Sequence, residues 1–112
     1  MGNQFGATIK KLREAKHLLQ RQVAGYLQID TPMLSKIERG ERRAKKEQIP
    51  EYANILKADK EQLLTLWLAD QITELVQDDE TLGLKAMQVA EDEVKYSIAS
   101  KKLNQIDPDT ML

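Results

Sequence analysis

Apolar residues recur every three or four positions along most of this chain, and this spacing predicts five to six helices and no strands. Phe5 and Ile9 follow the helical repeat within residues 5–16. Residues 47–56 show the same repeat, with Pro50 in the first turn, where a proline is tolerated. The pattern therefore predicts an all-α fold.

Residues 20–43, QRQVAGYLQIDTPMLSKIERGERR, predict two short helices joined by a tight turn. Ala24 supplies the small residue that two closely crossing helices need, and the helices share one apolar face. This face comprises Val23, Ala24, Leu27, Leu34 and Ile37. The remaining face of the second helix has no large apolar residue, so we expect it to be exposed. It comprises Thr31, Pro32, Ser35 and Lys36.

The second of these helices has signals at both ends. Asp30 is an acceptable N-cap, and Pro32 falls in the first turn, where its missing N–H has no partner to lose. Gly40 is typical of the position just after a helix. These signals predict a short helix between Asp30 and Gly40.

Asp59 and Gln62 predict a capping box at the start of a long fifth helix. The apolar residues of this helix are Leu63, Leu64, Leu66, Trp67, Leu68, Ile72, Leu75 and Val76. Together they form a stripe too wide for one core. The acidic residues 78–80 predict a break, and Gly83 marks the approach to a sixth helix over residues 84–102. One face of that helix carries Met87, Ala90, Val94 and Ile98.

Three segments are therefore expected. Residues 1–69 form a first domain, residues 70–103 form a helical extension suited to dimerisation, and residues 104–112 form a disordered tail. A chain of 112 residues is long enough for one modest core.

The composition agrees with a helical, cytoplasmic protein. Aromatic residues make up 4% of the chain, and the absence of cysteine excludes disulfides, thiolate metal sites and thiol nucleophiles. No apolar run approaches the ~18 residues of a membrane span, and the N-terminal residues do not resemble a signal peptide.

The net charge of −1 conceals a division of the chain. Residues 1–46 hold eleven basic and four acidic residues, a net charge of +7, whereas residues 47–112 hold six basic and fourteen acidic residues, a net charge of −8. Such asymmetry is typical of a chain with one surface for a polyanion and another for a different partner.

Residues 35–43, SKIERGERR, resemble the end of the recognition helix and its basic exit in the Xre and lambda repressor family. The similarity runs over about residues 5–68. It implies a five-helix helix-turn-helix bundle, here with an extended fifth helix and an additional C-terminal helix. Chains of this length and form also resemble controller proteins of restriction–modification systems.

The resemblance implies roles for individual residues. Gln20 stands where the family clamps a DNA phosphate, and Arg13 and Glu38 match a structural ion pair between the first and third helices. The base-contacting positions correspond to Thr31, Pro32 and Lys36, with Ser35 beside them. Three positions depart from the family pattern: His17 and Gln28 replace glycines, and Leu19 replaces a serine or threonine cap.

The chemistry of these side chains indicates DNA recognition. Lys36 can donate to guanine O6 and N7, and the Thr31 methyl group or the Pro32 ring can meet a thymine methyl. Pro32 has no donor for a bidentate contact with adenine. The candidates for phosphate contacts, besides Gln20, are Lys10, Arg21, Arg39, Arg42, Arg43, Lys45 and Lys46.

One recognition helix reads only a few base pairs, so we expect a homodimer on a palindromic operator. The candidate dimerisation residues are Trp67, Ile72, Leu75, Val76, Met87, Ala90, Val94 and Ile98. The alternative is that the sixth helix folds back on the fifth within one monomer, which would bury the same residues.

Catalysis, a metal site and a cofactor are not expected. The single histidine, His17, falls in a turn, and the acidic clusters 78–80 and 91–93 lack the spacing of a calcium loop. The main hypothesis is an autoregulatory transcriptional regulator that binds double-stranded DNA, with RNA polymerase as a candidate partner. The alternatives are an antitoxin whose acidic C-terminal half binds a toxin, and a protein-interaction adaptor that does not bind DNA.

Overall fold

The computed structural model describes residues 3–104, which form six α-helices. These are α1 (Gln4–Ala15), α2 (Gln20–Leu27), α3 (Thr31–Glu38), α4 (Ile49–Leu56), α5 (Lys60–Val76) and α6 (Glu80–Asn104), with a 3-10 turn at Lys46–Gln48. No strand occurs within the described residues, so the predicted all-α fold is confirmed. The tail expected over residues 104–112 lies outside the described range, apart from Asn104 at the end of α6.

The chain divides into two compact units between Leu75 and Val76. The first unit contains α1 to α4 and nearly all of α5, and the second contains α6. The domain boundary expected after residue 69 therefore falls within α5, which continues without interruption to Val76.

The core of the first unit is built from the apolar positions of α1 to α5. Phe5 of α1 and Tyr52 of α4 pack edge to face, with ring centroids 5.4 Å apart and an interplanar angle of 79°. The fully buried side chains of this core are Ile9, Val23, Leu27, Leu34, Ile49, Tyr52, Leu56 and Leu63.

Each of helices α1 to α4 is followed within two residues by a residue in the left-handed conformation. The φ angles are 57° for His17, 59° for Gln28, 78° for Gly40 and 51° for Lys57. After α2, Ile29 N donates to Ala24 O at 3.0 Å, and this bond satisfies a carbonyl at the helix end. His17 and Gln28 thus adopt the left-handed conformation at positions where the family that the chain resembles has glycine.

Gly6 allows α1 to approach the end of α3 closely. A Cβ atom at this position would lie 2.2 Å from Ile37 O and 2.9 Å from Glu38 O. Both neighbours are backbone atoms that cannot move aside, so only glycine permits this crossing.

The start of α6 differs from the sequence-based prediction. The helix begins at Glu80 rather than at residue 84, because Asp79 Oδ1 accepts a hydrogen bond from Leu82 N at 3.1 Å. Gly83 consequently lies inside the helix, where a Cβ atom would come within 2.6 Å of Val76 Cβ. Similarly, α4 begins at Ile49, two residues later than predicted, because residues 46–48 form a 3-10 turn.

Candidate nucleic-acid interface

Helix α3 presents one apolar and one polar face. Leu34 and Ile37 are buried in the core. Thr31, Pro32 and Lys36 are exposed on the other side, with Ser35 half-buried between them. This polar face is therefore accessible to a ligand along the length of the helix.

Both ends of α3 are fixed by local hydrogen bonds. Asp30 Oδ1 accepts from Met33 N at 2.7 Å at the N-terminus. At the C-terminus, Gly40 N donates to Ile37 O at 3.1 Å and Glu41 N donates to Lys36 O at 2.9 Å. These paired bonds form a Schellman motif, which turns the basic segment that follows away from the helix axis.

A buried ion pair joins α1 to the end of α3. Arg13 Nε lies 2.7 Å from Glu38 Oε2, and Arg13 Nη2 lies 3.0 Å from Glu38 Oε1. The Glu38 side chain is 1% exposed, and its hydrogen bond with Arg13 raises the pKa of the guanidinium. Arg13 Nη1 also donates to Leu18 O at 2.9 Å, so this side chain holds the turn before α2 in place.

Gln20 belongs to the same network. Its Nε2 donates to Glu38 Oε1 at 2.9 Å, and the side chain is half-buried at the start of α2. The resemblance predicted a phosphate contact for Gln20, whereas here its amide nitrogen connects α2 to α3. This bond orients the start of α2 relative to the recognition helix.

Arg39 lies over the C-terminal end of the polar face. Its Nη1 donates to Ser35 Oγ, and its Nη2 and Nε donate to Glu41 at 3.0 and 3.2 Å. This pairing raises the pKa of Arg39 and lowers the pKa of Glu41. The Ser35 hydroxyl oxygen therefore already accepts from Arg39, while its own O–H can still donate to a base.

Basic side chains flank α3 on two sides. Lys10 lines a shallow depression together with Lys11 and Arg39. Arg42 and Lys45 line another depression beside Met33, near the other end of α3. Arg21 and Lys46 are exposed elsewhere on this unit. Lys11 was not among the predicted contacts, although its place next to Lys10 on α1 could have suggested it.

Arg43 differs from the other predicted phosphate contacts because it pairs with α5. Its Nη2 lies 2.5 Å from Glu74 Oε2, and the two side chains are 49% and 42% exposed. The sequence contained no signal for this pair, because 31 positions separate its members.

The predicted dimerisation residues occupy different environments. Trp67 packs against the core, and its Nε1 donates to Ala44 O at 2.8 Å, so its indole supports the bundle rather than standing free. Ile72 and Leu75 are 48% and 85% exposed on α5, beside the half-exposed Leu68.

In the second unit, Val76 and Met87 are half-buried. Ala90, Val94 and Ile98 are exposed on α6. Two α-helical surfaces of this chain, one on α5 and one on α6, thus present apolar side chains to solvent.

Two kinds of feature, a cluster of metal-binding side chains and a membrane-spanning helix, are absent among residues 3–104. No group of three or more His, Asp or Glu side chains there could hold a metal ion. No helix in this part of the chain is long and apolar enough to cross a membrane.

A family model described as a helix-turn-helix domain matches residues 4–66, which is more than half of the chain. The chain therefore belongs to the family of helix-turn-helix domains, in agreement with its Xre-like resemblance. In DNA-binding proteins with this motif, the second helix of the pair enters the major groove.

Among solved structures, the chain is similar to the clp gene regulator ClgR from Corynebacterium glutamicum. The two share 21% sequence identity with a TM-score of 0.53, over 76% of this chain and 90% of that chain. At this level of identity the likeness shows the fold alone. No curated protein sequence matches the chain.

Proposed function

We propose that this protein is a transcriptional regulator that binds a specific double-stranded DNA sequence through α3. The observation that carries the proposal is the exposed polar face of α3, within a helix-turn-helix unit whose basic side chains flank that helix. Such a role places the protein in the cytoplasm of a prokaryotic cell, where it meets the DNA.

Base recognition follows from the chemistry of the exposed face. Lys36 donates to guanine O6 and N7, and Thr31 and Pro32 supply apolar contact with a thymine methyl. Ser35 contributes as a donor through its O–H, because its oxygen already accepts from Arg39. Phosphate contacts by the flanking lysines and arginines supply affinity without sequence information.

A homodimer on a palindromic operator extends the same proposal. Leu68, Ile72 and Leu75 form an exposed apolar surface on α5, and we infer that a second copy of the chain covers it. Two linked recognition helices read two half-sites, which supplies the specificity that one short helix lacks. Autoregulation would require such a site upstream of the protein's own coding sequence.

The test is fluorescence anisotropy on a labelled duplex from that upstream region, with a scrambled duplex for comparison. We expect selective binding that weakens steeply with salt. Lys36→Ala should reduce the selectivity by about five- to 150-fold, because a lost base contact costs roughly 1–3 kcal/mol. Lys60→Ala, at the exposed start of α5, is the matched control and should leave selectivity unchanged. Equal, weak binding of both duplexes would contradict sequence-specific regulation.

A second candidate function rests on α6. Its large exposed apolar side chains are Leu82, Leu84, Val89, Val94, Tyr96, Ile98 and Leu103. If these residues stay uncovered in a homodimer, we infer that they contact another protein, as in an antitoxin that neutralises a toxin. Hydrogen exchange separates the cases: protection of α6 in the purified homodimer favours the regulator alone, and rapid exchange favours a second partner.

A further inference from the structure

The ion pair between Arg43 and Glu74 connects the basic loop after α3 to helix α5. Arg43 lines the surface beside Ile29 and Met33, next to the recognition helix. It also lines the surface of α5 around Leu68 and Ile72. Its guanidinium therefore lies at the border between the candidate DNA interface and the α5 surface.

The pair differs from the buried ion pair of the same unit. Arg13 and Glu38 are 11% and 1% exposed, whereas Arg43 and Glu74 are 49% and 42% exposed. An exposed pair contributes little to stability, so breaking it costs little. Arg43 can consequently exchange Glu74 for another anion, while Arg13 cannot leave Glu38.

We propose that Glu74 competes with DNA phosphate for Arg43. In the free protein, Glu74 holds the guanidinium on α5. When DNA binds, Arg43 reaches a phosphate only after this pair breaks, so Glu74 lowers the affinity of the regulator for any duplex. The proposal rests on the DNA-binding function inferred above, and it makes Glu74 a built-in restraint on the affinity for DNA of any sequence.

Substitution of Glu74 measures this competition. Glu74→Gln should tighten binding to both the upstream and the scrambled duplex by about two- to fivefold at low salt, the range expected for release of an exposed ion pair. The slope of log K against log salt should change by less than the about 0.9 that a whole phosphate contact contributes, because Arg43 neutralises the same phosphate in both proteins once the pair has broken. Neither side chain is buried, so the helical content should not change.

Two further variants isolate the role of Arg43. Glu61→Gln, at the exposed start of α5, changes the net charge equally but breaks no ion pair among the described residues, so it should tighten binding less. Compared with Arg43→Gln alone, Arg43→Gln/Glu74→Gln should bind DNA more tightly by no more than the gain that Glu61→Gln gives in the unmodified chain. An effect of Glu74 on self-association would instead persist in this double variant.

The outcomes distinguish this proposal from the proposed function. If the unmodified chain binds DNA but Glu74→Gln behaves like Glu61→Gln, the competition is absent and the regulator proposal stands. Persistence of the gain in the double variant would likewise overturn the role of Arg43. If the unmodified chain binds no duplex at low salt, both proposals fail.

Discussion

Two glycines within helices of the first unit have opposite environments. Gly6 lies in α1 against the backbone at the end of α3, and a Cβ atom at this position would lie only 2.2 Å from Ile37 O. Gly25 lies in α2, where a Cβ atom would point into open space and meet nothing within 4 Å beyond its chain neighbours and the backbone of its own helix. The same residue type therefore permits a close helix crossing at one position and only weakens a helix at the other.

Alanine at these two positions should change stability in opposite directions. Gly25→Ala should raise the free energy of unfolding by about 0.5–1 kcal/mol, because alanine loses less backbone entropy in a helix. Gly6→Ala should lower it by about 1–3 kcal/mol through overpacking. Urea unfolding followed by circular dichroism measures both, and a stabilised Gly6→Ala variant would contradict the close crossing.

The hydroxyl group of Tyr52 lies in an unfavourable environment. Its ring is fully buried in the core, yet its hydroxyl has no hydrogen-bond partner within the described residues. Burial raises the pKa of this phenol, with a further contribution from the charge of Glu38. The hydroxyl is thus both unsatisfied and held neutral.

Tyr52→Phe should raise the free energy of unfolding by about 1 kcal/mol at neutral pH, because it removes a buried group without a partner. The pH dependence follows from the raised pKa. Above pH ~10 the unfolded tyrosine loses its proton while the folded one keeps it, so the folded state becomes less stable as pH rises. This alkaline loss should be smaller in Tyr52→Phe. The prediction is wrong if the free energy of unfolding falls equally steeply with pH for the two proteins between about pH 9 and 11, the range around the reference pKa of tyrosine.

The apolar core and the polar face of α3 could be predicted from the sequence because both depend on local periodicity. Phe5, Leu34 and Tyr52 follow the helical repeat of their own segments. The partners of polar residues could not be predicted in the same way. Asp70 illustrates this: its two carboxylate oxygens accept from Gln4 N at 2.7 Å and Phe5 N at 3.0 Å, across 66 and 65 positions.

At the scale of helices, the arrangement of α1, α2 and α3 depends on one buried charge. Glu38 accepts from Arg13 and from Gln20, so its carboxylate connects three helices. Local signals determine where these helices start and stop, but this network determines how they cross. The family resemblance predicted the ion pair, whereas the part played by Gln20 required the structure.

Arg13→Met should lower the free energy of unfolding by about 3–5 kcal/mol, because it leaves the Glu38 carboxylate buried without its main partner. Arg13→Met/Glu38→Leu should recover much of this loss, since no uncompensated charge then remains in the core. Thermal unfolding of the two variants tests the prediction. If the double variant is less stable than Arg13→Met, the charge of Glu38 is not the cause.

At the scale of the whole molecule, the chain separates its two opposite charges along its length. Residues 1–46 have a net positive charge and contain the recognition helix. The acidic remainder carries the exposed apolar surfaces of α5 and α6. This division agrees with DNA on one surface and protein on another.

Leu75 provides the decisive test of self-association, because it is 85% exposed on α5 and contributes almost nothing to its own unit. Leu75→Asp should shift the protein from dimer to monomer in sedimentation equilibrium, since a charge at the centre of an apolar contact must lose its hydration. Leu19→Asp is the matched control, because it introduces the same charge at another exposed leucine. Leu19 is 50% exposed and is the N-cap residue of α2, a position where aspartate is favourable. We expect the control to remain dimeric. If Leu75→Asp sediments like the unmodified chain, the α5 surface is not the dimer interface, and two recognition helices are not linked through it.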